Sequence, residues 1–255
     1  MKTTTKMMQI IIVTILLVIV GTIYVYDPFS SGNKVPLSLS YYQNVGIFRI
    51  APETIFSSLN RGDTDVFLPN SRSVDDRFEG PILYDDIGWS QSETLTIVHA
   101  LDNYIWKGTL DNWRLSFMTF DVDCQDDLGK LSIGRFRYFM TTFYDGKIID
   151  LWREVEVNSE YGFVAWGDGA KSKHPIFGRA SIDMERLKVT AKDAIRIAEE
   201  HGGRDARLNV QNQCSIYLAL APKGDKKGWW VSYNTSEIFE ILIDPYTGEI
   251  IKQDH

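Results

Sequence analysis

The clearest alternation of apolar and polar positions lies near the C-terminus. Phe239, Ile241 and Ile243 occupy every second position, which places them on one face of a strand because successive strand side chains point to opposite sides. The sequence DPYTG at 244–248 follows, in which proline presets the first turn position and glycine accepts a positive φ. The pattern therefore predicts a hairpin that returns along Glu249–Lys252.

A helical pattern precedes this hairpin. Four apolar residues recur with the spacing of one helix face: Ala191, Ala194, Ile195 and Ala198. Thr190 and Asp193 form a capping-box start, and His201-Gly202-Gly203 is typical of a helix end. The strands predicted after the helix are 206–210, 215–221, 229–233, 238–243 and 249–252. One helix followed by an antiparallel meander predicts an α+β unit.

A similar order of elements occurs earlier in the chain. Ser92 opens a helical run, and strands are predicted at 113–122, 135–144 and 147–157. Corresponding features recur about 100 residues apart, which favours an internal duplication. We therefore predict a first unit at 41–180, whose leader 41–90 is irregular, and a second unit at 181–255.

The N-terminal segment is predominantly apolar. Residues 7–26 contain no charged side chain, and a helix of this length matches the bilayer core of ~30 Å. Lys2 and Lys6 precede the segment and Asp27 follows it, so the positive-inside rule predicts a cytoplasmic stub at 1–6 and an extracytoplasmic remainder. The alternative is a cleaved signal peptide, although the apolar run is longer than is usual for one. The Ser-, Pro- and Gly-containing residues 27–40 are predicted to be a linker.

Composition limits the class of partner. The chain has 255 residues, 44% of them hydrophobic, and a net charge of −7. This composition predicts a folded protein, and the negative charge argues against nucleic acid as a partner, because phosphate binding needs a concentrated basic surface. Two cysteines, Cys124 and Cys214, fall in the exported part. From the sequence they form either a disulfide or two thiols, because the Cα separation cannot be read from it.

The C-terminal segment resembles a known family. The runs VTAKDAIRIAEEHGG, GWWVSYN and FEILIDPYTGEIIK resemble the PepSY domain, and the residues that match its pattern are Ala194, Ala198, Trp230, Tyr233, Asp244, Thr247, Gly248 and Glu249. The resemblance covers about the last 65 residues and extends weakly to 91–157. It implies a cystatin-like arrangement of one helix across an antiparallel sheet, and a secreted or membrane-anchored protein. Together with the duplication and the apolar segment 7–26, the resemblance predicts a membrane helix followed by two cystatin-like units.

Catalytic and metal-binding patterns are weak. The four histidines show no i, i+4 pair, and the acidic run DVDCQDD at 121–127 lacks the glycine and glutamate of a calcium loop. We therefore predict no catalytic residue, no metal and no cofactor. The alternative function is an envelope hydrolase or small-ligand enzyme that uses residues 41–127, in which His99 or His174 would meet Asp121 or Asp123.

The leading hypothesis is a non-enzymatic protein that binds a protein or peptide partner in the cell envelope, for example to modulate a peptidase. The predicted partner-binding residues are Trp229, Trp230 and Tyr233. Adjacent residues of a regular strand point to opposite faces, so one tryptophan packs beneath the helix and the other faces outward. The bilayer, reached through residues 7–26, is the second predicted partner.

Overall fold

The computed structural model describes residues 44–63, 66–69, 88–125, 128–144, 147–171, 181–223, 226–235 and 238–254. The predicted stub 1–6, membrane helix 7–26 and linker 27–40 lie outside these ranges. Within the described residues, no helix is both long enough and apolar enough to cross a bilayer.

Ten antiparallel strands form one sheet. They are β1 Asn44–Arg49, β2 Leu68–Pro69, β3 Arg114–Asp123, β4 Ile133–Tyr144, β5 Lys147–Asn158, β6 Phe163–Lys171, β7 Ser215–Lys223, β8 Lys226–Asn234, β9 Phe239–Ile243 and β10 Ile250–Asp254. Their order across the sheet is β10-β9-β8-β7-β3-β4-β5-β6-β1-β2. Few helices accompany the sheet, so the fold is α+β, as predicted at that level.

The described residues also form two longer and two short α-helices: α1 Ile55–Asn60, α2 Gln91–Leu101, α3 Ala191–Ala198 and α4 Arg204–Asn209. Both longer helices begin with a capping box, formed by Ser90 with Glu93 and by Thr190 with Asp193. Helix α2 continues into a π-helical turn at Asp102–Trp106, whereas α3 is followed by a kink at Glu199–Gly203, in which Gly202 has a φ of 112°. The N-termini of α2 and α3 meet where the backbone N–H of Ala191 donates to the side chain of buried Gln91, at 2.8 Å.

The two segments of chain that carry α2 and α3 share the sheet. Strand β3 pairs with β7, with Met118 opposite Leu220 and Phe120 opposite Leu218. The described strands of both predicted units therefore form one continuous sheet, with β3 and β7 at its centre. A duplication and a domain boundary near residue 181 stay predictions.

The core lies between the sheet and the longer helices. The strand residues on this side include Met118, Phe120, Phe136, Leu218 and Trp229, each at most 1% exposed. Ala191, Ala194, Ile195 and Ala198 of α3 are equally buried, so the apolar spacing in the sequence marks the face that packs. We call this side of the sheet the helix face and the opposite side the outer face.

Two local predictions are wrong, and a third stretch, whose glycines are typical of a turn, is a strand. Residues 206–210 alternate in polarity but form helix α4 and the position after it. The predicted irregular leader contains β1, which pairs with β6 from Asn44 opposite Asp168 to Arg49 opposite Phe163. The glycine-rich stretch 166–171 belongs to strand β6, where Gly167 lies opposite Glu154 and Gly169 opposite Trp152.

Gly134 sets how closely α2 approaches β4. A Cβ atom added there would lie 2.7 Å from Cγ2 of Thr94 and 3.1 Å from the ring of Phe120. We expect Gly134→Ala to lower the free energy of unfolding by about 1–3 kcal/mol, because overpacking forces neighbouring groups apart. Urea denaturation measures the change. At Gly129 an added Cβ meets only the flexible end of Lys192, so Gly129→Ala is the control, and equal losses in both variants would contradict the packing argument.

Candidate functional site

Strand β8 places its two tryptophans on opposite sides of the sheet. Trp229 lies on the helix face and is 0% exposed. Its Nε1–H donates to the carbonyl of Val189 at 2.8 Å, and its ring centroid lies 6.2 Å from that of Phe120. A ring enclosed in this way is unavailable to a partner, so Trp229 is removed from the predicted partner surface.

Tyr233 lies on the same buried side, two positions further along β8. It is 0% exposed, and its hydroxyl donates to Glu199 at 2.8 Å. Burial raises the pKa of Tyr233, and the hydrogen bond to Glu199 raises it further. This tyrosine is also removed from the predicted partner surface, because its ring is buried beneath α3 and its hydroxyl is hydrogen-bonded to Glu199.

Trp230 is the predicted residue that faces outward. It lies opposite Ala219 and Leu242 in the neighbouring strands, is half-buried, and meets Tyr217 edge to face with ring centroids 6.2 Å apart. Burial raises the pKa of Tyr217 to about 12, and the charge of Asp121 adds to this effect. Both side chains are uncharged at neutral pH, and both lie on the outer face.

A ladder of ion pairs continues from these rings across β3, β4 and β5. Asp121 lies opposite Tyr217 in the β3–β7 register. Arg135 donates to Asp121 at 3.0 Å and to Glu156 at 3.0 Å. Burial by itself would lower the pKa of Arg135, but the two carboxylates outweigh it and the pKa is raised.

The next rung joins Arg137 to Glu154 at 2.8 Å. The guanidinium of Arg137 also lies 5.6 Å from the ring centroid of Phe117 and 5.8 Å from that of Trp152, distances at which a cation and an aromatic face attract. We call the set Trp230, Tyr217, Asp121, Arg135, Glu156, Arg137 and Glu154 the outer stripe. Glu154 and Glu156 are buried, at 5% and 9% exposed, while Arg137 and Asp121 are partly exposed beside the half-buried aromatic rings. Aromatic surface next to partly exposed charge of both signs is suited to recognition by a protein or peptide.

The sequence contains a signal for this ladder that our predictions missed. Arg135 and Arg137 alternate along β4, while Glu154 and Glu156 alternate along β5. Opposite charges with a period of two on consecutive predicted strands indicate a cross-strand ladder on one face. Tyr217 and Trp230 could not be added in this way, because they join the stripe through the long-range pairing of β3 with β7. Asp121 lies on β3, which pairs with the next strand, β4.

Among the described residues of the alternative enzyme, His99 is not brought together with Asp121 or Asp123. His99 is exposed on α2, on the helix face, whereas Asp121 belongs to the outer stripe. The carboxylate of Asp123 accepts from the backbone N–H of Gln125 at 2.8 Å and so caps a turn. Asp126, Asp127, His174 and His255 lie outside the described ranges. Within those ranges no group of three or more His, Cys, Asp or Glu residues is placed to hold a metal ion.

Cys124 and Cys214 are joined by a disulfide, with their Cα atoms 5.3 Å apart. Cys124 follows β3 and Cys214 precedes β7, so the bridge closes one end of the central strand pair. The backbone N–H of Cys124 also donates to the carbonyl of Cys214 at 3.2 Å. The bridge therefore links the segment that carries α2 to the segment that carries α3.

Comparison with known proteins identifies the C-terminal part of the chain. Residues 188–254 match the PepSY family model, which is described as the peptidase propeptide and YPEB domain. No curated protein and no solved structure matches the chain. The matched residues contain α3, α4 and β7 to β10, and they contribute Trp230 and Tyr217 to the outer stripe.

Proposed function

Because residues 188–254 form a PepSY domain, we propose that this chain is a membrane-anchored binding or regulatory protein of the cell envelope. In this proposal it has no catalytic activity of its own and restrains a peptidase or another envelope partner through the outer stripe. The family match is compatible with a regulatory or binding role of the peptidase-propeptide kind. The anchor is the apolar segment 7–26.

The observation that carries the proposal is the position of Trp230. The PepSY segment buries one of its paired tryptophans beneath α3 and presents the other on the opposite side, next to Tyr217 and the ion-pair ladder. A large aromatic ring beside oriented charges is a common energetic centre of protein interfaces, because the ring supplies apolar area and the charges fix its register with the partner.

The disulfide supports the proposed location. A bridge between two strands that are distant in sequence forms and persists in oxidising compartments such as the periplasm or the cell surface. A domain that follows the segment 7–26 on the extracytoplasmic side would lie in an oxidising compartment, whereas a cytoplasmic domain would not.

The test uses the unit Leu39–His255 as bait in an envelope extract. We expect it to retain a specific protein and to slow the cleavage of casein by peptidases in the extract. Trp230→Ala should retain at least roughly tenfold less of that protein, the loss typical of an interface hot spot.

The matched control is Tyr104→Ala, which removes an aromatic side chain that is 38% exposed but lies in the π-helical turn after α2, away from the outer stripe. This variant should retain the partner as the unchanged protein does. Equal retention by Trp230→Ala would remove the outer stripe from the proposal. Hydrolysis of casein by the purified unit itself would overturn the non-enzymatic function.

A further inference from the structure

Helix α4, Arg204–Asn209, has an unusual attachment to the rest of the PepSY domain. None of its residues is buried, Leu208 is 49% exposed, and Ala206 alone among its residues packs partly against the core. Packing of an apolar face supplies most of the stability of a short helix in a protein. The position of α4 must therefore depend on other ties.

The first tie is polar and lies on its inner side. Arg207 donates to both carboxylate oxygens of Glu199, at 3.3 and 2.8 Å, and to the side-chain oxygen of Asn212 at 2.7 Å. The hydrogen bond to Glu199, together with the charge of that carboxylate, raises the pKa of Arg207. Glu199 also accepts from the buried hydroxyl of Tyr233, so α4 covers a polar group that reaches into the core.

The second tie is the disulfide at Cys214. Between it and α4 lie Gln211 and Asn212, with φ of 54° and 61°, a left-handed conformation that costs free energy for residues other than glycine. Beyond the bridge, the β3–β7 ladder begins at once with Asp123 opposite Ser215 and continues to Met118 opposite Leu220. The ladder, together with the backbone hydrogen bond from Cys124 to Cys214, aligns the strands, and the bridge is the covalent link at the C-terminal end of the loop that follows α4.

We propose that residues 204–214 are a redox-controlled latch, held closed by the Cys124–Cys214 disulfide and released by a dithiol reductant. Closed, the latch covers Glu199 and the hydroxyl of Tyr233. Opened, it allows Gln211 and Asn212 to leave the left-handed conformation and exposes Glu199 and the Tyr233 hydroxyl next to the kink at Glu199–Gly203. This regulation is independent of the proposed partner and of the outer stripe.

The exchange begins at Cys214, because Cys124 is 2% exposed while Cys214 is partly exposed. A thiolate of the dithiol attacks the sulfur of Cys214, the bond to Cys124 breaks, and the sulfur of Cys124 leaves as a thiolate that takes up a proton. The second thiol of the reductant, as its thiolate, then displaces Cys214, whose thiolate is protonated in turn. The protein gains two electrons and two protons, and the dithiol is oxidised to its disulfide.

Hydrogen exchange of the full chain, with and without dithiothreitol, tests the latch. Measured in low concentrations of urea, backbone amides of 205–213 should exchange roughly tenfold faster after reduction, through a local opening that urea does not promote, while amides of 117–122 in β3 exchange only through global unfolding, which urea does promote. The double variant Cys124→Ala/Cys214→Ala should show the faster local exchange without reductant and no response to it. Unchanged exchange at 205–213, or exchange there only through global unfolding after reduction, would overturn the proposal.

A second measurement tests the order of attack and does not need the latch to open. Cys124→Ala leaves Cys214 as a thiol, and Cys214→Ala leaves Cys124. The free thiol of the first variant should react with 5,5′-dithiobis(2-nitrobenzoate) at least roughly tenfold faster than that of the second, because exposure governs access to the sulfur. Equal or reversed rates would overturn the assignment of Cys214 as the attacked sulfur.

Discussion

Replacing Trp229 by alanine is expected to lower the free energy of unfolding by about 3–5 kcal/mol, the usual loss for a large aromatic side chain removed from a core. The indole is fully buried against Phe120. Its removal also leaves the carbonyl of Val189 without the indole donor, and a buried acceptor that loses its partner adds to the cost. Urea denaturation of the unit Leu39–His255, followed by circular dichroism, measures the change.

The adjacent residue provides the matched comparison. Trp230→Ala removes the same side chain from a half-buried position on the outer face, where its described ring contact is with Tyr217. We expect it to cost about 1–2 kcal/mol, because less apolar area leaves the protein interior. If Trp230→Ala destabilised the protein as much as Trp229→Ala does, the assignment of the two rings to opposite faces would be wrong.

Removing the disulfide is expected to have the second large effect. The bridge joins residues separated by 90 positions. A bridge that closes a loop of this length typically stabilises a domain by about 2–5 kcal/mol, and one model attributes this effect to the restriction of the unfolded chain. We expect Cys124→Ala/Cys214→Ala to lower the unfolding free energy by that amount. Reduction of the unchanged protein should give a similar loss.

The comparison between variant and reductant isolates the bridge. Dithiothreitol should leave the stability of the double variant unchanged, because no other cysteine exists in the chain. If the double variant were as stable as the oxidised protein, a stabilising role for the bridge would be contradicted. Hydrogen exchange would then still test separately whether reduction opens the latch.

The C-terminal half of the fold could be predicted because its local signals agree with its long-range packing. Thr190 caps α3, as its spacing from Asp193 predicts. Asp244 accepts from the backbone N–H groups of Tyr246 and Thr247, and Gly248 has φ of 82°. These residues are explained by turn geometry, and the PepSY assignment of this segment is confirmed by the family match.

The errors lie where tertiary contacts override local pattern. Residues 206–210 alternate as a strand would, but the two bonds of Arg207 to Glu199 favour a helix that brings the guanidinium to that carboxylate. Gly167 and Gly169 are typical of turns, yet both lie in β6, where Gly167 is paired with β5 and β1 and Gly169 with β5. Pairing with neighbouring strands supplies backbone hydrogen bonds that local propensity does not anticipate.

The candidate site could be predicted only in part for the same reason. Strand geometry predicts that Trp229 and Trp230 face opposite sides, but it does not say which one is buried. The position of Val189 and of α3 decides this, since the indole of Trp229 donates to the chain just before the helix. The neighbours of Trp230 on the outer face depend on β7 joining β3, a pairing that no local pattern specifies.

The central claim is that the outer stripe around Trp230 is the binding side of this chain. The most direct measurement is a calorimetric titration of the purified captured partner into the unchanged unit, into Trp230→Ala and into Tyr104→Ala. We expect the dissociation constant to rise at least roughly tenfold for Trp230→Ala and to stay within about twofold for Tyr104→Ala. An unchanged dissociation constant for Trp230→Ala, with the variant folded by circular dichroism, would contradict it.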